Sequence, residues 1–239
     1  MTSLRKSVIL NAELRPIVED FSSSLAYIYL ICYYTLRTFV KFEVIELKSS
    51  EIKEAALKFF TIHGYEGASL SLIAKEVGMK KQSIYAHFKG KDDLFLQVLR
   101  DAKETELSSK LQYFSKIDSQ NPEKDLYGFL QLVIELFQKN EQLKFWLRMS
   151  FFPPTHLAEE IEEEVIDIEE KVETILESKF QNWIDANVIV GDAAKTPTFA
   201  FLGVVDSIML ELVYGNDRQR LRDKLEASWT VFWRGISHQ

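Results

Sequence analysis

The sequence predicts an all-α protein, with an N-terminal three-helix domain built on a helix-turn-helix and a helical body behind it. Three observations lead there. Apolar residues recur at helical spacing in segment after segment, and no stretch alternates with the period of two that a half-buried strand shows. Helix breakers are few, with five prolines and nine glycines in 239 residues. The stretch Ser69–Lys91, SLSLIAKEVGMKKQSIYAHFKGK, sets two short helical patterns on either side of one glycine. With 46% hydrophobic and 13% aromatic residues, the chain can bury a substantial core in one or two domains.

Residues 1–46 form an extension of different composition. Its run LAYIYLICYYTL, Leu25 to Leu36, is apolar and aromatic. A dozen residues fall short of the ~20 that span a bilayer. Three readings stand: a membrane-associating arm, an extra helix packed on the protein or a partner, or a stretch upstream of a functional start near Leu47. Asn11, Glu13 and Arg15 interrupt any cleavable signal pattern.

Residues 47–106 read as the helix-turn-helix domain. Its first helix runs from about 49 to 63, with Ser50 as a cap and Ile52, Ala55, Ala56, Phe59 and Phe60 as its apolar stripe. Gly64 and Gly67 end it. Leu72, Ile73, Ala74 and Val77 face the core from the next helix, capped by Ser69 and stopped by Gly78. Ile84, Tyr85 and Phe88 pattern the second reader helix. Gly90 then opens a linker helix to about Phe114, with Asp92 and Asp93 complementing the dipole of its first turn.

Residues 107–239 read as the body. Asn121-Pro122 marks a boundary before helices at 124–140 and 142–152, the second stopped by Pro153-Pro154. A long helix over 157–186 has one apolar face and an acidic run, residues 159–173, which could bind a cation or cationic drug but is better accounted for as a solvated face. Helices at 197–214 and 218–235 close the chain. Phe201, Val204, Val205, Ile208, Met209 and Leu212 form one apolar stripe there, and Leu221, Leu225, Trp229 and Phe232 another.

Charge and cysteine usage narrow the function. Five lysines and one acid between Lys75 and Lys91 make a local positive patch on a chain of net charge −7. The single cysteine, Cys32, cannot form an internal disulfide, which favours a cytoplasmic setting. The sequence shows no metal-ligand spacing, Gly-rich phosphate loop, GxSxG or HExxH, so neither catalysis nor a metal or cofactor is expected. His63 reads as a helix-end histidine.

The segment Ile52–Leu99 resembles the DNA-binding domain of the TetR (tetracycline repressor-like) family of bacterial transcription regulators. The resemblance rests on Ala55-Ala56-x-x-Phe59-Phe60, Gly64-Tyr65, Leu72-Ile73-Ala74-x-x-Val77-Gly78, Ile84-Tyr85-x-His87-Phe88 and Lys91-x-x-Leu94. It implies a one-component regulator, expected to be a repressor, that binds a palindromic double-stranded DNA operator as a homodimer through 197–214 and 218–235. It also implies release by a small ligand held in the body. The DNA-contacting candidates are Ser69, Ser71, Lys80, Lys81, Gln82, Ser83, Tyr85, His87 and Lys91. Gln82 and Ser83 can reach base edges, and the lysines phosphates. In the family, the positions of Tyr85, His87 and Lys91 commonly touch the DNA backbone. This chain departs from the pattern at Lys80, where Ser or Thr is usual, and at Gln82, where a small residue is.

The effector pocket is expected between the linker helix and helices 124–140, 142–152 and 157–186. Candidate lining residues are Phe129, Leu130, Val133, Phe145, Trp146, Ser150 and Trp183, most of which also make sense as core. Only Lys144 and Arg148 bring charge to the stretch around Trp146, so a largely hydrophobic ligand is expected. The competing reading is a helical ligand-binding or membrane-tethered protein with a degenerate reader.

Overall fold

A computed structural model describes residues 24–117, 121–215 and 217–238. Among the described residues there are nine α-helices, one 3₁₀ turn and no strand. The chain divides into two compact units, Met1–Glu51 and Ile52–Gln239.

Helix α1 is Ser24–Gly67. No glycine or proline interrupts residues 24–63, so nothing in the sequence stops the helix earlier. Ser50 therefore lies within a helix instead of capping one, a correction to the start expected near residue 49. In the first unit Tyr33, Leu36, Val40, Ile45 and Leu47 are exposed, and the Thr35 and Thr38 hydroxyls donate to the carbonyls of Cys32 and Tyr34. Residues 1–23, with the expected interruption at Asn11, Glu13 and Arg15, lie outside the described residues.

In the second unit α1 continues to Gly64, whose φ of 69° breaks the helical backbone. Helix α2 (Leu70–Glu76) begins at Ser69, whose Oγ accepts the Leu72 N–H at 3.3 Å. Gly78, at φ 66°, supplies the left-handed residue that turns the chain into α3 (Lys81–Ile84). Ile52, Ala56, Phe60, Ile73, Ala74, Ile84 and Phe88 pack this domain against Leu94, Phe95 and Val98 of α4 (Lys91–Lys116). Leu70, Ile73 and Ala74 share the inner face of α2, which leaves Leu72, expected inside, 44% exposed.

The body consists of α5 (Pro122–Lys139), α6 (Glu141–Phe151), a 3₁₀ turn at Thr155–Leu157, α7 (Ala158–Asp185), α8 (Lys195–Tyr214) and α9 (Arg218–Ile236). Asn121, Asn140 and Asp217 cap α5, α6 and α9 with their side-chain oxygens. Phe114, Phe129, Phe180, Phe201 and Phe232 form a chain of ring contacts through the centre. A second chain, Phe60–Phe95–Phe145, runs from reader to body with centroids 4.9 and 5.6 Å apart. The division drawn at 106/107 falls inside α4.

The stripes read as a dimer face point the other way. Phe201, Val204, Val205 and Ile208 of α8 and Leu221, Leu225, Trp229 and Phe232 of α9 are buried in the chain's own core. A helix hairpin must cover its body with its most apolar stripe before it can offer anything to a partner. The accessible large residues on these helices are instead Phe199, Leu210, Tyr214 and Val231.

Candidate DNA interface and ligand cavity

Ile84 and Phe88 anchor the reader helix from below, at 0 and 2% exposure. Lys80, Lys81, Gln82 and Tyr85 are exposed around it, while Ser83 and His87 are half-buried. Lys80 gives no side-chain cap, so the start of α3 is held by the Ser83 N–H bonding to the Lys80 carbonyl at 2.9 Å. Ser69 spends its oxygen on the α2 cap, and Ser71 stands exposed in the first turn of that helix. His87 Nδ1 is buried with no hydrogen-bond partner. Glu76, the lone acid in the patch, is paired with Lys58 at 2.8 Å, so it subtracts little from the reader's positive potential.

Lys91 opens α4 beside its N-terminus, with its Nζ 4.0 Å from the centroid of the Tyr65 ring. The Tyr65 hydroxyl donates to the Asp92 carboxylate. Burial, followed by that hydrogen bond and the charge of Asp92, pushes the phenol well above its ordinary range. Asp93 accepts the Lys89 N–H at 2.7 Å and the Gln97 amide at 2.9 Å. Those bonds, Gln97 first, hold its carboxyl below the usual carboxylate range. His156, from the 3₁₀ turn of the body, lies 3.5 Å from Asp92 and stacks edge-on against Tyr65.

The body encloses a cavity of about 400 Å³ between α4, α5, α6, α7 and α8. Of the expected lining residues, Phe129, Trp146 and Ser150 face it. Leu130, Val133, Phe145 and Trp183 do not; they are packed into the core away from it. The fifth wall, α8, was not expected; it contributes Phe199, Leu202, Gly203, Asp206 and Met209. Lys144 and Arg148 border a separate, open groove with Thr61, Gly64 and Pro153.

Part of the charged lining, Glu169 and Glu173, belongs to the acidic run 159–173, while Glu106, Lys110 and Asp206 were not expected at the site. Glu106 and Lys110 of α4 form a buried pair at 2.7 Å, and Glu169, Glu173 and Asp206 add three more carboxylates. Burial pushes the Asp206 carboxyl up, and burial with the nearby Asp206 charge does the same to Glu169. One signal in the sequence marks the site: Asp206 is the only charged residue between Lys195 and Glu211 in an otherwise apolar helix. The acidic run expected to be solvated has a second exception. Glu164 is drawn in to Arg100 at 2.7 Å and to the buried Lys103 at 2.6 Å.

A short helix against a Gly turn, a basic exposed face and a long helix joining it to a helical body make up the helix-turn-helix arrangement. The sequence model described as "Bacterial regulatory proteins, tetR family" matches residues 52–98. The reader is similar to the HTH-type transcriptional repressor AcnR of Corynebacterium diphtheriae, 37% identical over 57 residues, 24% of this chain and 30% of AcnR. The HTH-type transcriptional regulator YhgD of Bacillus subtilis is 30% identical over 105 residues, 38% of this chain and 52% of YhgD. The chain thus matches about half or less of the length of these relatives. The fold is similar to that of the solved transcriptional regulator FadR of Bacillus subtilis in complex with stearoyl-CoA. The TM-score is 0.60 at 17% identity, over 78% of this chain and 98% of FadR.

Proposed function

We propose that this protein is a transcription regulator, a repressor in its ligand-free form, that binds a palindromic operator as a homodimer and releases it when a small molecule enters the body. The observation that carries the reading is the helix α4. It begins with Lys91 at the reader and forms a cavity wall with Glu106 and Lys110. Fifteen residues separate Lys91 from Glu106, about 22 Å of helix. A ligand that fits better with α4 displaced moves the two readers of a dimer out of register with successive major grooves, and it shifts the equilibrium only by that difference in affinity. Phe199, Leu210, Tyr214 and Val231, with the small residues Gly203 and Ala227 between them, offer the surface for the second copy. The apolar character of α8, long enough by composition to cross a membrane, fits a helix buried on one side by its own body and on the other by a partner. Lys80, Lys81, Tyr85, His87 and Lys91 hold phosphates, and Gln82 and Ser83 read bases.

The test is retention of DNA from the protein's own upstream region by the purified full chain. Operator binding should exceed random-DNA binding, with log affinity falling linearly against log salt. Equal, weak binding to both would reject the reading.

A further inference from the structure

We propose that the body cavity is a site for an amphipathic organic cation, a ligand with an ammonium-like or delocalised positive centre and aromatic or aliphatic bulk. The proposal rests on the regulator reading above and gives its effector a chemical class. Size comes first: about 400 Å³ accommodates a drug-sized molecule and far exceeds the space one or two waters occupy. Charge decides the class. Glu106, Glu169, Glu173 and Asp206 face the space against one lysine, Lys110. Glu106 is only 8% exposed; its Oε1 is satisfied by Lys110 at 2.7 Å, and its Oε2 is buried without a hydrogen-bond partner.

A buried carboxylate oxygen left without a partner costs free energy that a positive ligand group recovers. Burial disfavours charge on Asp206, and burial with the Asp206 charge beside it does so on Glu169, so an entering cation stabilises the ionised form of each. Aromatic faces complete the site, since Phe129, Trp146 and Phe199 line the same space and attract a cation through their quadrupoles. An anionic acyl thioester such as the stearoyl-CoA bound by FadR would meet these carboxylates with like charge. The one lysine that could answer it is already committed to Glu106.

The experiment compares two ions of nearly equal shape and opposite charge on the full-length protein, tetraphenylphosphonium and tetraphenylborate, by calorimetry and by quenching of tryptophan fluorescence. Tetraphenylphosphonium should bind at least about tenfold more tightly, and Glu106→Gln and Asp206→Asn should each weaken it by about tenfold. Asp206 lines the cavity and is itself exposed, so Asp206→Asn decides the matter if Glu106→Gln does not fold. DNA retention without ligand is measured on the same samples. If the protein holds operator DNA but takes both ions equally, prefers the borate, or binds the phosphonium unchanged in both variants, the cation site is wrong and the regulator reading survives. If the phosphonium binds with the expected charge preference and variant losses while DNA retention never responds to it, the cation site stands and the proposed coupling to DNA falls.

Discussion

Lys91 is placed against the helix dipole. A cation in the first turn of α4 is unfavourable there, and the Tyr65 ring face 4.0 Å away offsets only part of that cost. A phosphate beside it would reverse the sign. Lys91→Ala should therefore weaken binding to every DNA sequence and reduce the salt slope by about one, whereas Gln82→Ala should relax base preference by about 1–3 kcal/mol. Filter binding to operator and random DNA over a salt series separates the two, and equal losses on both DNAs in Gln82→Ala would remove its base-reading role. Glu164 offers a stability test. Burial pushes its carboxyl up, but hydrogen bonds from Arg100 and Lys103 outweigh burial and hold it below its ordinary 4.5. A depressed folded value means that its contribution is present above the unfolded pKa and is lost as pH falls through the folded one. Glu164→Gln should cost about 1–3 kcal/mol at pH 7, less than a fully broken buried pair because Lys103 keeps Asp167. Urea melts should show the gap between the two proteins shrinking as pH falls below 4.5 and through the depressed folded value, where the native carboxyl takes up its proton. An undiminished gap there would mean that packing, not charge, is what Glu164 supplies.

At the scale of helices, α4 and α5 meet at Gly128, where an added Cβ would collide with the Tyr113 hydroxyl. That hydroxyl donates to the Asp125 carbonyl at 2.7 Å, so it is not free to swing away. Gly128→Ala should destabilise the fold by about 1–3 kcal/mol despite alanine's better helix propensity. A thermal melt in which the variant gains stability would show that the helices can part at little cost. On α9, Val231 is 75% exposed, and Val231→Glu should leave the subunit folded yet shift it to monomer in sedimentation at micromolar concentration. A dimer unaffected by that charge would move the interface elsewhere. The helices themselves were legible from periodicity and caps: Ser69, Gly78 and Asn121-Pro122 all fall at helix ends in the structure. The direction in which each stripe faces was not. Apolar periodicity shows that a face is buried but not by what, so the α8 and α9 stripes were read as an interface when they cover the body. The cavity carboxylates were harder to read for a related reason, because Glu169 and Glu173 sit in an acidic run with a solvated face, and only the packing of α8 brings Asp206 beside them.

The molecule as a whole separates at Glu51/Ile52, close to where the recognisable reader begins. A chain starting at Leu47 should remain soluble, dimeric and able to hold operator DNA, as measured by sedimentation and gel retention. Aggregation of that shorter chain would make the extension part of the fold. Beyond Ile52 the reader and body share one continuous core, and the residues that join them were chosen by different parts of the sequence.

The ring contacts Phe60–Phe95–Phe145 have a practical consequence for anyone recombining regulators. Two of the three rings belong to the reader and the third to α6 of the body. A chimera cut at the end of the family match, after residue 98, would export Phe60 and Phe95 without the ring they pack on. The transplanted reader would then present an unmatched aromatic surface to whatever helix the host body supplies. A working exchange must carry a phenylalanine to the host position equivalent to Phe145. The exchangeable cassette is thus longer in space than in sequence.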